Sequence, residues 1–326
     1  MGFIRHDLPY ACVEFKGERL PWLGGDLQTV RTVFIDDKPS LPAYEEILIP
    51  VSDGDKILTA FHKAKQANSV LIILHGLAGD YDSSYIARLT HLALAQNRHV
   101  LRVNLRGAGK GRAYAKYAYH AGRSDDLHAL LSAMAKRFTD LPLYLTGYSL
   151  SGTMAVNLVT RHDVEGLLSG LVSFCAPLDM LACSYQFHKW RNWPYVRHFT
   201  KALIAQAHNG PSARPDLLPQ VKQVKSVRAF DEIFTSQLAG YRDANDYYRQ
   251  TTPLGLMDTI KVPTLLVHSD NDPWIAAKSY LEIKTHNKLF CVITKGGGHM
   301  GFHDKVRPYR CWQSAVGEQF FTYLDG

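Results

Sequence analysis

LYLTGYSLSG occupies residues 143–152, and what this stretch builds decides the fold. An apolar run leads through Gly147 to Tyr148, Ser149, Leu150, Ser151 and Gly152. This is the pattern of a strand that turns sharply into a helix with a serine at the corner. The usual form of such a corner is G-x-S-x-G, which lifts a serine hydroxyl above the sheet. Here the last position is Ser151. Gly147 is needed because the turn brings backbone segments together. Where the helix packs on the strand, a small residue suffices and Ser151 meets that need. The stretch alone leaves two readings for Ser149, a nucleophile or a serine capping a helix. Ser151, a residue or two into the helix, is the poorer nucleophile.

The flanking chain favours the first reading. SVLIILHG (69–76), HVLRVNLRG (99–107), LPLYLTG (141–147) and LLSGLVSFCAP (167–177) read as buried strands, the apolar runs expected when both faces of a sheet are covered. Helical stretches near 84–96, 124–138 and 150–159 separate them. Strand–helix alternation predicts an α/β architecture with a parallel, doubly wound sheet. Before it, EEILIPV (45–51) and KILTAFHKA (56–64) form an N-terminal antiparallel hairpin across Ser52-Asp53-Gly54-Asp55. Residues 1–40 give no clear element. The alternation stops at Leu178. Residues 178–255 are helical and aromatic, with Phe187, Trp190, Trp193, Tyr195 and Phe199 clustered. VPTLLVH (262–268) resumes the sheet, followed by a helix near 276–285, the strand KLFCVIT (288–294) and a helix near 311–324. The expected organisation is a core of 1–177 and 256–326 interrupted by a helical cap insertion, 178–255.

Composition excludes several classes. The 326 residues are 46% hydrophobic and 21% charged, ordinary for a globular chain, and no apolar stretch reaches the ~18–20 residues that span a bilayer. MGFIRHDLPY has no apolar signal-peptide core, so a cytoplasmic location is expected. Cys12, Cys175, Cys183, Cys291 and Cys311 are scattered and odd in number, against a disulfide framework or zinc site. The net charge of +7 is dispersed, with no basic run and no nucleic-acid module. No nucleic-acid partner is expected; the charge leaves weak association with an acidic surface open.

A serine nucleophile needs a base, and the base needs a partner that orients it. On such sheets serine, acid and histidine follow in that chain order. VPTLLVHSDNDPW (262–274) carries Asp270 and Asp272 at the end of a strand, and both are candidates for the acid. TKGGGHMGFHD (294–304) carries His299 in a glycine-rich loop, which lets the imidazole lean over the sheet edge. His303, four residues on, is the rival. Backbone N–H groups of Leu77 and Leu150 are placed to hold an oxyanion. His75 is read as a residue that holds its loop. A metal reading of His75, His299, His303 and Asp304 lacks a ligand motif.

With these pieces in order, the chain resembles the α/β-hydrolase fold superfamily, and more narrowly the YheT-like esterases related to the ABHD proteins of lipid metabolism. GGDLQTVRTVF (24–34), HGLAGDYDSSY (75–85), NLRGAGKG (104–111), YHAGRSDDL (119–127) and FDEIFTSQLAGYRDANDYYRQTTP (230–253) carry the resemblance, with SDNDPW and GGGHMGF. It implies a Ser149–Asp272–His299 triad, since Asp272, just before Pro273, matches the family's acid and Asp270 does not. It implies a carboxylic ester hydrolase, with short- to medium-chain acyl groups and a small, lipid-like ester as substrate, needing no cofactor or metal. An acyltransferase or thioesterase with the same triad is the alternative, and a non-enzymatic binding protein on this scaffold a further one. Ser151 departs from the glycine of many members.

Overall fold

The computed structural model describes residues 2–17, 20–35, 38–304 and 311–326. Nine strands form one sheet: β1 (Phe3–His6), β2 (Glu45–Pro50), β3 (Lys56–His62), β4 (Ser69–Leu74), β5 (Arg98–Val103), β6 (Leu143–Tyr148), β7 (Gly170–Phe174), β8 (Thr264–Ser269) and β9 (Leu289–Thr294). Their spatial order is β1-β9-β8-β7-β6-β4-β5-β3-β2. From β5 through β4, β6, β7 and β8 to β9 every neighbouring pair is parallel. β3 joins β5 antiparallel and β2 joins β3 antiparallel, while β1 closes the other edge antiparallel to β9.

β4 shows why the central strands read as unbroken apolar runs. Val70, Ile72 and Leu74 point to one buried layer, shared with Leu127 and Leu131 of α3 (Ser124–Arg137) and Met154 of α4 (Leu150–Arg161). Leu71 and Ile73 point to the other, shared with Ile86 and Leu89 of α2 (Ser84–Ala95) and with Trp312 and Phe320 of α12 (Trp312–Asp325). With both faces covered, polar alternation has no use. In the β2–β3 hairpin, Asp53 and Gly54 take consecutive positive φ angles of 63° and 74°, a turn that suits the strands' twist.

Several boundaries differ from the sequence reading. The strand expected over 99–107 ends at Val103, just before Asn104, whose N–H still donates to Leu58 O of β3 and whose side chain accepts the Tyr81 N–H. The strand expected over 167–177 keeps only Gly170–Phe174, since Cys175 turns the backbone to φ 46°. The helix expected near 276–285 is the short α11 (Lys278–Glu282). The unassigned N-terminus holds β1 and an eleven-residue helix, α1 (Gly24–Phe34).

Between β7 and β8 every described element is helical: α5 (Met180–Phe187), α6 (Trp193–His208), α7 (Leu218–Val221), α8 (Val227–Phe230), a π-helical turn (Asp231–Thr235), α9 (Ser236–Ala239) and α10 (Ala244–Thr251). Local sequence sets the starts. Side chains of Asp179, Ser226 and Asp243 accept the N–H groups of Ala182, Ala229 and Asp246, and Pro194 stands in the first turn of α6. These helices carry their own apolar cluster, centred on Val196, Leu203, Val221, Phe230 and Phe234.

Candidate active site

The corner at Ser149 has φ 54° and ψ −121°, a conformation that costs ~1–3 kcal/mol unless its surroundings enforce it. They do. The Ser149 N–H donates to Phe174 O at the end of β7, 2.8 Å away. A Cβ on Gly147 would lie 2.6 Å from Ser151 O, and one on Gly152 would lie 2.7 Å from Ser173 Oγ. Gly147 and Gly152 are therefore where the strand–helix contact is tightest. Ser151 is not. Its fully buried Oγ accepts the Tyr148 N–H at 2.9 Å and lies 3.0 Å from both Leu74 O and Tyr148 O. The serine side chain sews the end of β6 to the end of β4.

His299 Nε2 stands 3.0 Å from Ser149 Oγ, and Nδ1 stands 2.7 Å from Asp272 Oδ2. The other oxygen of Asp272 accepts two backbone N–H groups, from Trp274 at 2.8 Å and Ile275 at 3.0 Å. Burial pushes the Asp272 carboxyl up, but His299 and these donors outweigh it and hold the carboxyl below its usual range. An ionised Asp272 requires hydrogen on His299 Nδ1, which leaves the Nε2 lone pair for the serine hydroxyl. The Trp274 ring lies 4.2 Å from the imidazole, centroid to centroid, and screens it from water. Asp270 goes elsewhere: it accepts the Gly296 N–H at 2.7 Å and so anchors the glycine loop. Gly296, Gly297 and Gly298 all have positive φ, which only glycine adopts freely in succession. His303 is buried with Nδ1 3.3 Å from Arg31 Nη1.

Helix α1 clamps both loops. Thr29 Oγ1 accepts the His299 N–H at 2.8 Å and donates to Gly25 O. Gln28 Oε1 accepts from Gly297 N at 2.9 Å and from Asn271 Nδ2 at 3.0 Å, while Asn271 Oδ1 accepts from Gly298 N. The packing has no slack: a Cβ on Gly301 would fall 2.4 Å from Gln28 O. The segment GGDLQT stood out in the sequence without showing this role. Cys175 was likewise read only as a scattered cysteine. Its sulfur, the Asp272 carboxylate and the His299 ring offer donor atoms within 4.8 Å of one another, the one such cluster of metal-ligating types among the described residues. Burial keeps the thiol protonated by pushing its pKa well up, and the carboxylate and imidazole are engaged with each other.

The loop after β4 faces Ser149 from the other side; a Cβ on Gly76 would lie 3.3 Å from Ser149 Cβ. Its N–H groups alternate in use. Gly76 N donates to Tyr85 Oη and Ala78 N to Tyr119 Oη. The N–H of Leu77 between them, and that of Leu150 at the start of α4, have no protein acceptor among the described residues. His75 holds this loop as read from the sequence: Nε2 accepts the Leu105 N–H and Nδ1 donates to Gly76 O. Burial lowers its pKa to about 4, so the ring is neutral near pH 7.

Ser149, Leu77, Leu150 and His299 open onto a pocket walled by helices between β7 and β8, by Gly107, Arg112, Tyr119 and His120 from the segment between β5 and α3, and by Trp274 and Ile275. The aromatic cluster divides there. Phe187 and Phe199 line the pocket, and Tyr195 packs on Trp274. Trp190 and Trp193 face solvent, because the turn joining α5 to α6 carries them outward.

Sheet order, strand–serine–helix corner and the His299 loop after the last strand together define the class. Residues 69–306 match the model of the alpha/beta hydrolase fold, and the chain belongs to that family. Within it the chain is related to YheT and the ABHD proteins. It is 28% identical to YheT of Escherichia coli, which carries an esterase name, over 87% of this chain and 86% of that one. It is 24% identical to mouse phospholipase ABHD3, over 90% of this chain and 74% of that one. Among solved structures, esterase Pf2001 of Pyrococcus furiosus superposes with a TM-score of 0.59 at 15% identity, covering 89% of this chain and 98% of that one. Hydrolysis of the esterase or lipase type is the activity that these kinships support.

Proposed function

We propose that the chain hydrolyses carboxylic esters of short- to medium-chain acids through Ser149, His299 and Asp272. One observation carries the reading: the unbroken row Ser149 Oγ, His299 Nε2, His299 Nδ1, Asp272 Oδ2, with spacings of 3.0 and 2.7 Å, at the floor of an apolar pocket.

Ser149 attacks the ester carbonyl as its proton passes to His299 Nε2. Asp272 keeps the imidazole in the required tautomer and stabilises the imidazolium. The oxyanion lies between the N–H groups of Leu77 and Leu150, each such donor being worth about 10²–10³ in rate. On collapse, the alcohol leaves with the proton from Nε2. His299 then takes a proton from the water that attacks the acyl-enzyme and returns it to Ser149 Oγ as the acyl bond breaks, releasing the acid and free Ser149. No metal or cofactor takes part in these steps. Residues 178–255 act as a cap on the core formed by 1–177 and 256–326, and its Phe187, Phe199 and Leu203 receive the acyl chain.

The test is Ser149→Ala with a short p-nitrophenyl ester. Turnover falls by about 10⁴-fold or more, and labelling by a fluorophosphonate probe disappears. Full activity in the variant ends the proposal. A series of esters graded by acyl length tests the chain-length reading: rates that do not fall beyond medium length rule it out.

A further inference from the structure

Helix α6 works on two sides. Its inner residues Phe199, Leu203 and Ala207 line the pocket. Its outer row, spaced by four residues, is Trp193, Arg197 and Lys201, all exposed. The turn before it adds Lys189, Trp190 and Arg191, also exposed. Trp190 is 90% exposed, more than any other large apolar side chain among the described residues, and Trp193 is 60% exposed. Water-facing indoles of this kind mark an interaction surface.

Charge selects the partner. From Met180 to Pro215 the sequence has no Asp or Glu, while Lys189, Arg191, Arg197, Lys201 and Arg214 are all cationic. The Arg197 guanidinium lies 5.5 Å from the centroid of the Trp193 ring, so the indole and the cation share one face. Arg191 is tied to Asp26 of α1, and Tyr195 also donates to Asp26. This brings α1 to the same corner, and Leu23 and Leu27, either side of Asp26, are exposed. Indole rings favour the boundary between headgroups and acyl chains, and Lys and Arg stems reach back to anionic headgroups.

We propose that the α5–α6 corner, with Trp190 and Trp193 as anchors and Lys189, Arg197 and Lys201 as the cationic rim, docks on an anionic lipid surface. The helix that rests on the lipid is then the helix that walls the pocket, and a lipid-like ester has only the thickness of α6 to pass. The docking face itself does not depend on the chemistry at Ser149.

The experiment is sedimentation of the full chain with vesicles, either phosphatidylcholine alone or phosphatidylcholine with phosphatidylglycerol. The protein partitions onto the phosphatidylglycerol vesicles, and binding falls as salt is raised. Trp190→Ala with Trp193→Ala weakens partitioning at least tenfold. Lys189→Glu with Arg197→Glu weakens it by more than about fivefold per cation removed. Both double variants keep the parent's turnover of a soluble short ester, and Ser149→Ala binds vesicles as the parent does. That last arm separates failure of docking from failure of the hydrolase reading. Equal partitioning onto neutral vesicles, or binding unaffected by either pair of substitutions, overturns the proposal. So does a dimer on size-exclusion that the Trp190→Ala, Trp193→Ala variant dissolves, since the indoles then belong to an interface between two copies.

Discussion

Replacing Thr29 by Val removes one oxygen and little else. Valine has nearly the same shape and keeps the β-branch, so α1 and its packing persist. What goes is the acceptor for the His299 N–H, 2.8 Å away, and the hydroxyl that donates to Gly25 O. Gly25 O still has its helical N–H partner, so the loss falls on His299. Leaving a buried backbone N–H without its acceptor costs ~1–3 kcal/mol. His299 hangs from a loop whose three preceding glycines supply no stiffness of their own, so much of this cost appears as misplacement of the imidazole. If all of it is expressed in the transition state, kcat falls about 5- to 150-fold with KM little changed. The assay is steady-state turnover of a soluble short ester, read with the Tm of each variant, and Thr29→Ser restores the rate. A folded Thr29→Val variant with the parent's kcat refutes the reasoning, because the hydroxyl then serves only to hold the helix.

Two further outcomes follow from buried groups. Ser151→Ala strips the acceptor from the Tyr148 N–H and a hydroxyl from beside Leu74 O, and lowers stability by ~1–3 kcal/mol; a denaturant midpoint equal to the parent's contradicts the stitching role. Asp231, held by Thr235 and Tyr248, has its carboxyl pushed by burial up to about 6. A raised folded-state pKa means its stabilising contribution is complete below about pH 4 and is lost as pH rises through about 6. The loss amounts to ~3 kcal/mol, and Asp231→Asn abolishes it. Thermal melts at intervals from pH 4 to pH 7 check this, and a parent–variant difference that does not change with pH counts against it.

The central sheet was open to reading because its physics is local: strands buried on both sides must be apolar throughout, and helices between them must alternate. Ser149 and His299 stood out in the sequence for a related reason. One follows a buried strand and precedes a helix; the other follows the last strand in a run of glycines. Asp270 and Asp272 were less separable. Both follow the end of β8, and their fates are decided by partners far along the chain, Gly296 for one and His299 for the other. The resemblance to known hydrolases, not the residues themselves, favoured Asp272. α1 was hidden more thoroughly. It begins with two glycines, has no side-chain N-cap and mixes Thr and Val into its turns, so little in its own sequence asks for a helix. Its helical form is fixed by docking on the loops at Asn271 and Gly297–Gly301. The same holds for Cys175, whose meaning lies in neighbours drawn from β8 and the loop after β9.

The clamp of α1 on the histidine loop also sets a timetable. Thr29 meets His299 across 270 positions of sequence, and β1 pairs with β9 across a similar span. On the ribosome these N-terminal residues emerge first, yet the surface they fit is made last, when β8 and β9 have entered the sheet. Until then the segment is a tether without a berth, closing a loop of 270 positions only once the chain is nearly finished. The arrangement at Ser149 thus belongs to the completed chain: a nascent protein that already has the β6–α4 corner has nothing yet to hold His299 beside it.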